Sequence, residues 1–184
     1  MLGACDACSM DSHFTCAWML KVKWESIEQA SQAPNTEKKA YFIDFYTSWC
    51  GWCKKMDKET FTDPTVIKIL NKYYIPVKFN AEGNSEFKWN GIKYNNAATT
   101  AGGRPSTHTF ARTILGQEMG FPSFGIFTSD KSLQNIIQGY QTSDELIPIL
   151  WYFASGDYKK YTFDTYLRIF AKEIQPEMNR QLGL

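Results

Sequence analysis

Residues 40–54 have the sequence Ala-Tyr-Phe-Ile-Asp-Phe-Tyr-Thr-Ser-Trp-Cys-Gly-Trp-Cys-Lys. The first seven residues form an almost continuous run of apolar, β-branched and aromatic side chains, interrupted by one acid, Asp44. Such a run is typical of a central strand that is buried on both faces. We expect Thr47 and Ser48 to end this strand and a helix to begin at about Cys50.

Cys50 and Cys53 lie at the predicted start of that helix. Their spacing places both sulfurs on one helix face, where unpaired backbone N–H groups stabilise a thiolate. The pattern therefore predicts a redox pair, in which Cys50 is the nucleophile and Cys53 resolves the mixed disulfide. Two other interpretations are half of a zinc site and two unrelated buried cysteines. A zinc site would need further ligands, but no cysteine follows Cys53, and His13 and His108 are the only histidines.

The composition limits the class of protein. The chain has 184 residues, of which 43% are hydrophobic and 16% are aromatic, and its net charge is +1. These values predict a folded domain with additions, and they favour neither disorder nor a nucleic-acid partner. No apolar run approaches the roughly 18 residues of a transmembrane helix.

The N-terminal segment carries the other three cysteines, and we interpret residues 1–17 as a Cys-rich arm. Cys5, Cys8, His13 and Cys16 resemble a zinc knuckle, but the last spacing is two residues rather than four. A disordered arm, a Cys5–Cys8 disulfide and electron transfer to Cys50–Cys53 are the alternatives. Residues 2–5 resemble a lipoprotein cleavage box, although the N-terminal residues lack the positive and apolar segments of a signal peptide. Either a signal has been removed or the protein is cytoplasmic.

The remaining pattern alternates helices and strands. Asp63 and Pro64 predict a helix start, with Asp63 as N-cap. Asn90-Gly91 predicts a hairpin over residues 87–94, and Thr142 or Ser143 is expected to cap a later helix. The other predicted elements are helices at 24–30, 107–115 and about 162–175, strands at 75–80, 124–128 and 133–138, and a loop at 95–105. We predict an α/β fold with a central mixed sheet between helices.

Two segments carry a family resemblance. Residues 40–58 and 119–128 resemble the thioredoxin superfamily, through Ile43-Asp44-Phe45-Tyr46 with Trp49-Cys50-Gly51-Trp52-Cys53-Lys54 and through Gly120-Phe121-Pro122-Ser123-Phe124. The resemblance implies a thioredoxin-like domain over residues 18–184, with an insertion at about 82–118 before the proline loop and extra helices at both ends.

The resemblance also implies roles for single residues. Asp44 matches the family's buried acid, which takes a proton from Cys53, and Lys78 matches the lysine that pairs with this acid. A structural acid and an exposed lysine are the alternative interpretations. Phe121–Pro122 would be a cis bond whose backbone pairs with an extended substrate.

Residues 54–64 are similar to a branch of exported thioredoxin-like proteins. That branch includes the C-terminal domain of the bacterial transmembrane thiol:disulfide interchange protein. Its members are commonly extracytoplasmic and act on protein disulfides, which implies a periplasmic site of action. Trp52 and Lys58 depart from thioredoxin itself, which has proline at both positions, and Trp52 leaves the redox direction open.

Aromatic residues near the dithiol predict a substrate-binding rim. We expect Trp49, Gly51, Trp52, Phe121 and Pro122 to contact the substrate. Trp89 is a further candidate for the rim, with packing inside its hairpin as the alternative. We interpret His108 as a packed or exposed residue rather than a catalyst.

The expected function is thiol–disulfide exchange on protein or peptide disulfides, in the direction of reduction. It needs an upstream thiol electron donor and neither a metal nor an organic cofactor. Two other classes stay open at this point. One is a peptide-binding module without turnover, and the other is a zinc or redox sensor based on the N-terminal cysteines.

Overall fold

The computed structural model describes residues 21–96, 106–117 and 119–184. The predictions for residues 1–17, including those for Cys5, Cys8, His13 and Cys16, lie outside the described residues. So does most of the predicted loop at 95–105.

Strands and helices alternate along the described chain. The strands are β1 (Glu25–Ser26), β2 (Ala40–Tyr46), β3 (Tyr74–Asn80), β4 (Phe87–Trp89), β5 (Ile92–Tyr94), β6 (Ser123–Phe127) and β7 (Leu133–Gln138). The helices are α1 (Ile27–Gln32), α2 (Gly51–Glu59), α3 (Pro64–Tyr73), α4 (Thr109–Leu115), α5 (Ser143–Ala154), α6 (Phe163–Ile169) and α7 (Gln175–Leu182). A 3-10 turn at Asp157–Lys159 follows α5, and a π-helical turn at Phe170–Ile174 joins α6 to α7.

Five of these strands form a mixed sheet in the order β1-β3-β2-β6-β7. β3 is parallel to β1 and β2, whereas β6 is antiparallel to both β2 and β7. The central position of β2 explains its almost unbroken apolar sequence, because helices or loops cover both of its faces. The predicted mixed sheet between helices is confirmed.

Local sequence signals account for several helix ends. The Asp63 carboxylate accepts hydrogen bonds from the backbone N–H groups of Thr65 and Val66, and Pro64 is the first residue of α3. Thr142 and Glu145 form a reciprocal capping box at the start of α5. Both predicted helix starts are therefore confirmed.

The two ends of the domain differ in detail from the prediction. Residues 25–26 form strand β1 beside β3, and α1 begins only at Ile27, where Ser26 caps it. At the other end, the helical region continues to Leu182, because Pro176 lies in the first turn of α7, where a missing backbone donor is tolerated. Among the helices of the described ranges, none combines the length and the apolar composition that crossing a membrane requires.

Two apolar cores lie on opposite faces of the sheet. Phe42 packs on one face with residues of α2, α3 and α5, including Met56. Tyr41, Ile43 and Phe45 pack on the other face with the β4–β5 hairpin and α4. Since side chains alternate along a strand, Asp44 shares the Phe42 face, on the side that α2 covers.

The hairpin and α4 belong to the second core. Trp89 is buried against Tyr41, Phe110 and Phe127, so its predicted place in the aromatic rim is wrong. His108 is buried as well. Its Nδ1 accepts the N–H of Phe110 as the N-cap of α4, and its Nε2 lies 2.8 Å from the Ser85 carbonyl oxygen.

Candidate active site

The two cysteines of the motif form a disulfide at the N-terminus of α2. Cys50 is the N-cap residue, and its sulfur accepts the backbone N–H of Cys53 at 3.0 Å. Only 4% of Cys50 and 3% of Cys53 is exposed, so both cysteines are buried, although Trp52 between them is 57% exposed. Their interpretation as two unrelated cysteines is wrong. Within the described ranges, no cluster of three or more potential metal ligands is present.

Asp44 lies in β2 and is fully buried. Its Oδ2 accepts a hydrogen bond from the Lys78 ammonium group, while its Oδ1 has no hydrogen-bond partner among the described residues. Burial raises the pKa of this carboxyl from 3.8 to about 6, against the opposing effect of Lys78. A carboxyl with such a pKa can take up and release a proton near neutral pH.

Lys78 joins Asp44 to a second carboxylate, that of Asp57 in α2. The register of the sheet sets the first contact, since Asp44 in β2 is directly opposite Lys78 in β3. Burial lowers the pKa of the Lys78 ammonium, but the two carboxylates outweigh burial and raise it. The ammonium also lies over the rings of Trp24 and Phe61, at 4.9 and 5.2 Å from their centroids.

The sequence analysis did not identify Asp57 as a site residue, although its spacing from Cys53 was a signal for one. It lies four residues after Cys53, which places it one turn further along the same face of α2. A pocket of about 340 Å³ opens beside Asp57 and Lys78, and Trp24 lines it. The buried acid is therefore connected to the surface through Lys78 and Asp57.

The Phe121–Pro122 peptide bond is cis. The Ser123 hydroxyl donates to the Gly120 carbonyl at 2.7 Å, and the Pro122 carbonyl accepts the backbone N–H of Gly139 at 2.9 Å. These bonds tie the proline loop to its own strand β6 and to the residue that follows β7.

Trp49 forms one wall beside the disulfide. It is 66% exposed, and its indole N–H points at the Glu82 carboxylate, with distances of 3.1 and 3.0 Å to the two oxygens. Its ring meets that of Phe121 edge to face, with centroids 6.3 Å apart. Glu82 follows β3 at the start of the predicted insertion, and the sequence alone gave no reason to place it beside Trp49.

Trp52 forms a second wall. It is 57% exposed, and its ring centroid lies 5.3 Å from that of Tyr140, a residue that the sequence analysis did not single out. Gly51 is exposed between the two cysteines, and a Cβ there would meet no atom within 4 Å. The structure thus brings together Cys50, Cys53, Trp49, Trp52 and the proline loop, with Asp44 and Lys78 beneath α2.

Comparison with known proteins adds the family. Residues 27–154, more than half of the chain, match the model of a family described as a thioredoxin-like domain. The chain belongs to this family. The matched range begins just after β1, ends with α5 and contains every element of this thioredoxin-like domain that borders the disulfide.

Curated relatives match over a shorter range. The thiol:disulfide interchange protein DsbD of Campylobacter jejuni is 34% identical over 61 residues, which is 33% of this chain and 11% of that protein. The DsbD protein of Vibrio vulnificus is 35% identical over 51 residues, which is 28% of this chain and 9% of that protein. The matched part thus spans about a tenth of the length of either relative.

Solved structures share the fold. A thioredoxin-fold protein from Helicobacter pylori superimposes with a TM-score of 0.55 at 13% identity, covering 90% of this chain and 93% of that chain. A thioredoxin from Thermus thermophilus gives a TM-score of 0.51 at 14% identity, covering 71% and 85%. At these identities the likeness establishes the fold alone.

Proposed function

We propose that this thioredoxin-like domain is a thiol–disulfide oxidoreductase that reduces disulfides in proteins or peptides. The observation that carries the proposal is the Cys50–Cys53 disulfide at the N-terminus of α2, next to the Phe121–Pro122 loop. The helix N-terminus provides a thiolate-stabilising environment, and the exposed residues Gly51 and Trp52 between the cysteines leave the side from which a partner sulfur can approach open to solvent.

The first step begins from the reduced protein. The Cys50 thiolate attacks one sulfur of the substrate disulfide, a bond forms between these two sulfurs, and the other substrate sulfur leaves as a thiolate that takes a proton from water. The backbone N–H of Cys53, which contacts the Cys50 sulfur at 3.0 Å in the oxidised form, stabilises negative charge on that sulfur.

The second step releases the product. The Cys53 thiol gives its proton to Asp44 and attacks the Cys50 sulfur, so the Cys50–Cys53 disulfide forms and the second substrate sulfur leaves as a thiolate. Two electrons have then passed from the dithiol to the substrate. Asp44 suits this role because burial raises its pKa to about 6, while Lys78 holds its carboxylate in place.

Substrate binding involves the residues around the disulfide. In our proposal the backbone of Phe121 pairs with an extended substrate segment beside Pro122. Trp49 and Trp52 flank this segment, and the exposed Gly51 lets it approach Cys50 closely. The proposed steps use only side chains of this chain and sulfurs of the substrate. A dithiol protein upstream restores the reduced form.

We further propose that the domain acts outside the cytoplasm. Support comes from residues 54–64, which resemble exported members of the family, and from the partial match to DsbD, which is named a thiol:disulfide interchange protein. Fractionation of the source cells tests this proposal, and recovery of the protein with cytoplasmic enzymes only would contradict it.

Insulin reduction and the redox potential test the function. We expect the wild-type domain to reduce insulin disulfides with dithiothreitol as donor, and the reduction potential of its dithiol to be about −270 mV rather than about −120 mV. Cys50→Ser should abolish turnover, whereas Cys53→Ser should accumulate a mixed disulfide that mass spectrometry detects. The proposal is refuted if the wild type does not turn over insulin and Cys53→Ser does not accumulate this adduct. A potential of about −120 mV would reverse the direction.

A further inference from the structure

We propose that Trp52 and Tyr140 form a subsite for an apolar or aromatic side chain next to the substrate's cysteine. The substrates would then be disulfides in unfolded or misfolded polypeptides. This inference rests on the proposed function, because it names the class of substrate that the same disulfide reduces.

Three hydrogen bonds fix the position of Tyr140 beside Trp52. The residue before it, Gly139, donates its N–H to the Pro122 carbonyl at 2.9 Å. The residue after it, Gln141, offers its carbonyl to the Thr60 hydroxyl at 2.7 Å, at the end of α2. The Tyr140 hydroxyl itself donates to Glu59 at 2.8 Å. Tyr140 is thus held between the proline loop and α2.

The other half of the subsite comes from α2. Trp52, Lys55 and Glu59 follow one another at helical spacing and share one face of this helix. The Lys55 ammonium lies 5.2 Å from the Trp52 ring centroid and 5.0 Å from that of Tyr140. These cation–π contacts hold the two rings together.

The charges of the subsite favour an apolar occupant. Glu59 lies 3.8 Å from the Lys55 ammonium, so the positive charge over the two rings has a negative neighbour. A charged substrate group gains little from such a paired site, whereas two aromatic rings offer a large apolar contact area. Aromatic side chains at exposed positions are typical of residues that contribute most to binding.

The position of the subsite limits the substrate. Trp52 lies between the two cysteines, so its occupant must be near the substrate's cysteine in sequence. In a folded protein, a large apolar side chain in that position is usually buried. It is accessible in an extended or misfolded chain, which can also pair with the proline loop as an added strand.

Paired peptide substrates test the subsite. Each pair consists of two disulfide-linked peptide dimers that differ only by Phe or Ser next to the cysteine, on its N-terminal side in one pair and its C-terminal side in the other. We expect wild-type kcat/KM to favour Phe by about tenfold in at least one pair, as partial burial of a phenyl ring predicts. Tyr140→Ser should bring that ratio close to one, while Tyr140→Phe should keep most of it.

Tyr161→Ser is the matched control. Tyr161 is also a partly exposed aromatic residue, but it lies just before α6 and has no contact with the rings of the subsite. Its Phe-to-Ser ratio should equal that of the wild type. A wild-type ratio near one, or a preference that survives in Tyr140→Ser, overturns the subsite while turnover of the peptides still supports the proposed function. If the wild type reduces neither the peptides nor oxidised glutathione, the proposed function fails and the subsite with it.

Discussion

Replacing Asp44 with asparagine separates the stability of the domain from its proposed chemistry. In the folded protein, burial raises the pKa of Asp44 from 3.8 to about 6. A difference of about 2 pH units corresponds to about 3 kcal/mol, which is what the ionised carboxylate costs the folded state above pH 6. Asp44→Asn removes this charge, but it buries an amide N–H group without a partner at a cost of about 1–2 kcal/mol. We expect a net gain of about 1–2 kcal/mol at pH 8.

The pH dependence of the free energy of unfolding is a second, independent test of the raised pKa of Asp44. Between about pH 4 and pH 6 the folded state binds more protons at Asp44 than the unfolded state does, so this residue makes the free energy of unfolding fall as pH rises. In Asp44→Asn this contribution disappears, and the gain in stability should shrink as pH falls towards 4. In turn, kcat/KM for insulin reduction should fall by about 10²-fold, because Cys53 has lost its proton acceptor.

Urea unfolding of the oxidised protein at pH 8 and pH 4.5 measures these differences. Asp164→Asn, at an exposed position in the first turn of α6, is the control. Because a negative charge at a helix N-terminus is favourable, its removal should give no gain in stability at pH 8. If Asp44→Asn is less stable than the wild type at pH 8, the buried charge does not cost the folded state what its raised pKa implies. A gain in stability at pH 4.5 that equals the gain at pH 8 would contradict the raised pKa of Asp44.

Three further changes test the packing, capping and titration of the fold. Phe110→Ala, in the core between the hairpin and the sheet, should lower the free energy of unfolding in urea by about 3–5 kcal/mol. A decrease of less than about 1 kcal/mol would contradict the central position of Phe110 in this core. Thr142→Ala should cost about 1 kcal/mol in the same assay by removing the N-cap of α5, whereas an unchanged midpoint would mean that the cap contributes nothing. Burial lowers the pKa of His108, so the wild type should lose stability as pH falls through 6.5. His108→Asn keeps a capping side chain and should lose this pH dependence. An identical pH profile of stability in the two proteins would argue against a contribution from His108.

The sequence was sufficient to predict those elements whose short-range signals agree with the fold. The run at 40–46 became the central strand, because only a strand covered on both faces buries so many consecutive apolar side chains. Asp63-Pro64 and Thr142 determined helix starts through bonds within one turn, so no distant residue was needed to predict them.

Other features depend on contacts between distant residues. β1 has two residues, too few for an alternating pattern, and exists because β3 offers it a free edge. Trp89 was a rim candidate by its residue type, but the hairpin turns it into the core against Phe110. Glu82 and Tyr140 lie far from Cys50 in sequence, and only the folded chain brings them beside the two exposed tryptophans.

The hydrogen bond from the Gly139 N–H to the Pro122 carbonyl joins two connections of the fold that are separate from the strand carrying the disulfide. The reactive disulfide is attached to the end of the central strand, whereas Glu82, Phe121 and Tyr140 reach it from three separate connections of the fold. In the proposed function, substitutions in those connections change which polypeptides bind, while the sulfur chemistry is left intact. In the proposed function, duplicated genes for such a domain can therefore change their substrate specificity before the reaction itself changes.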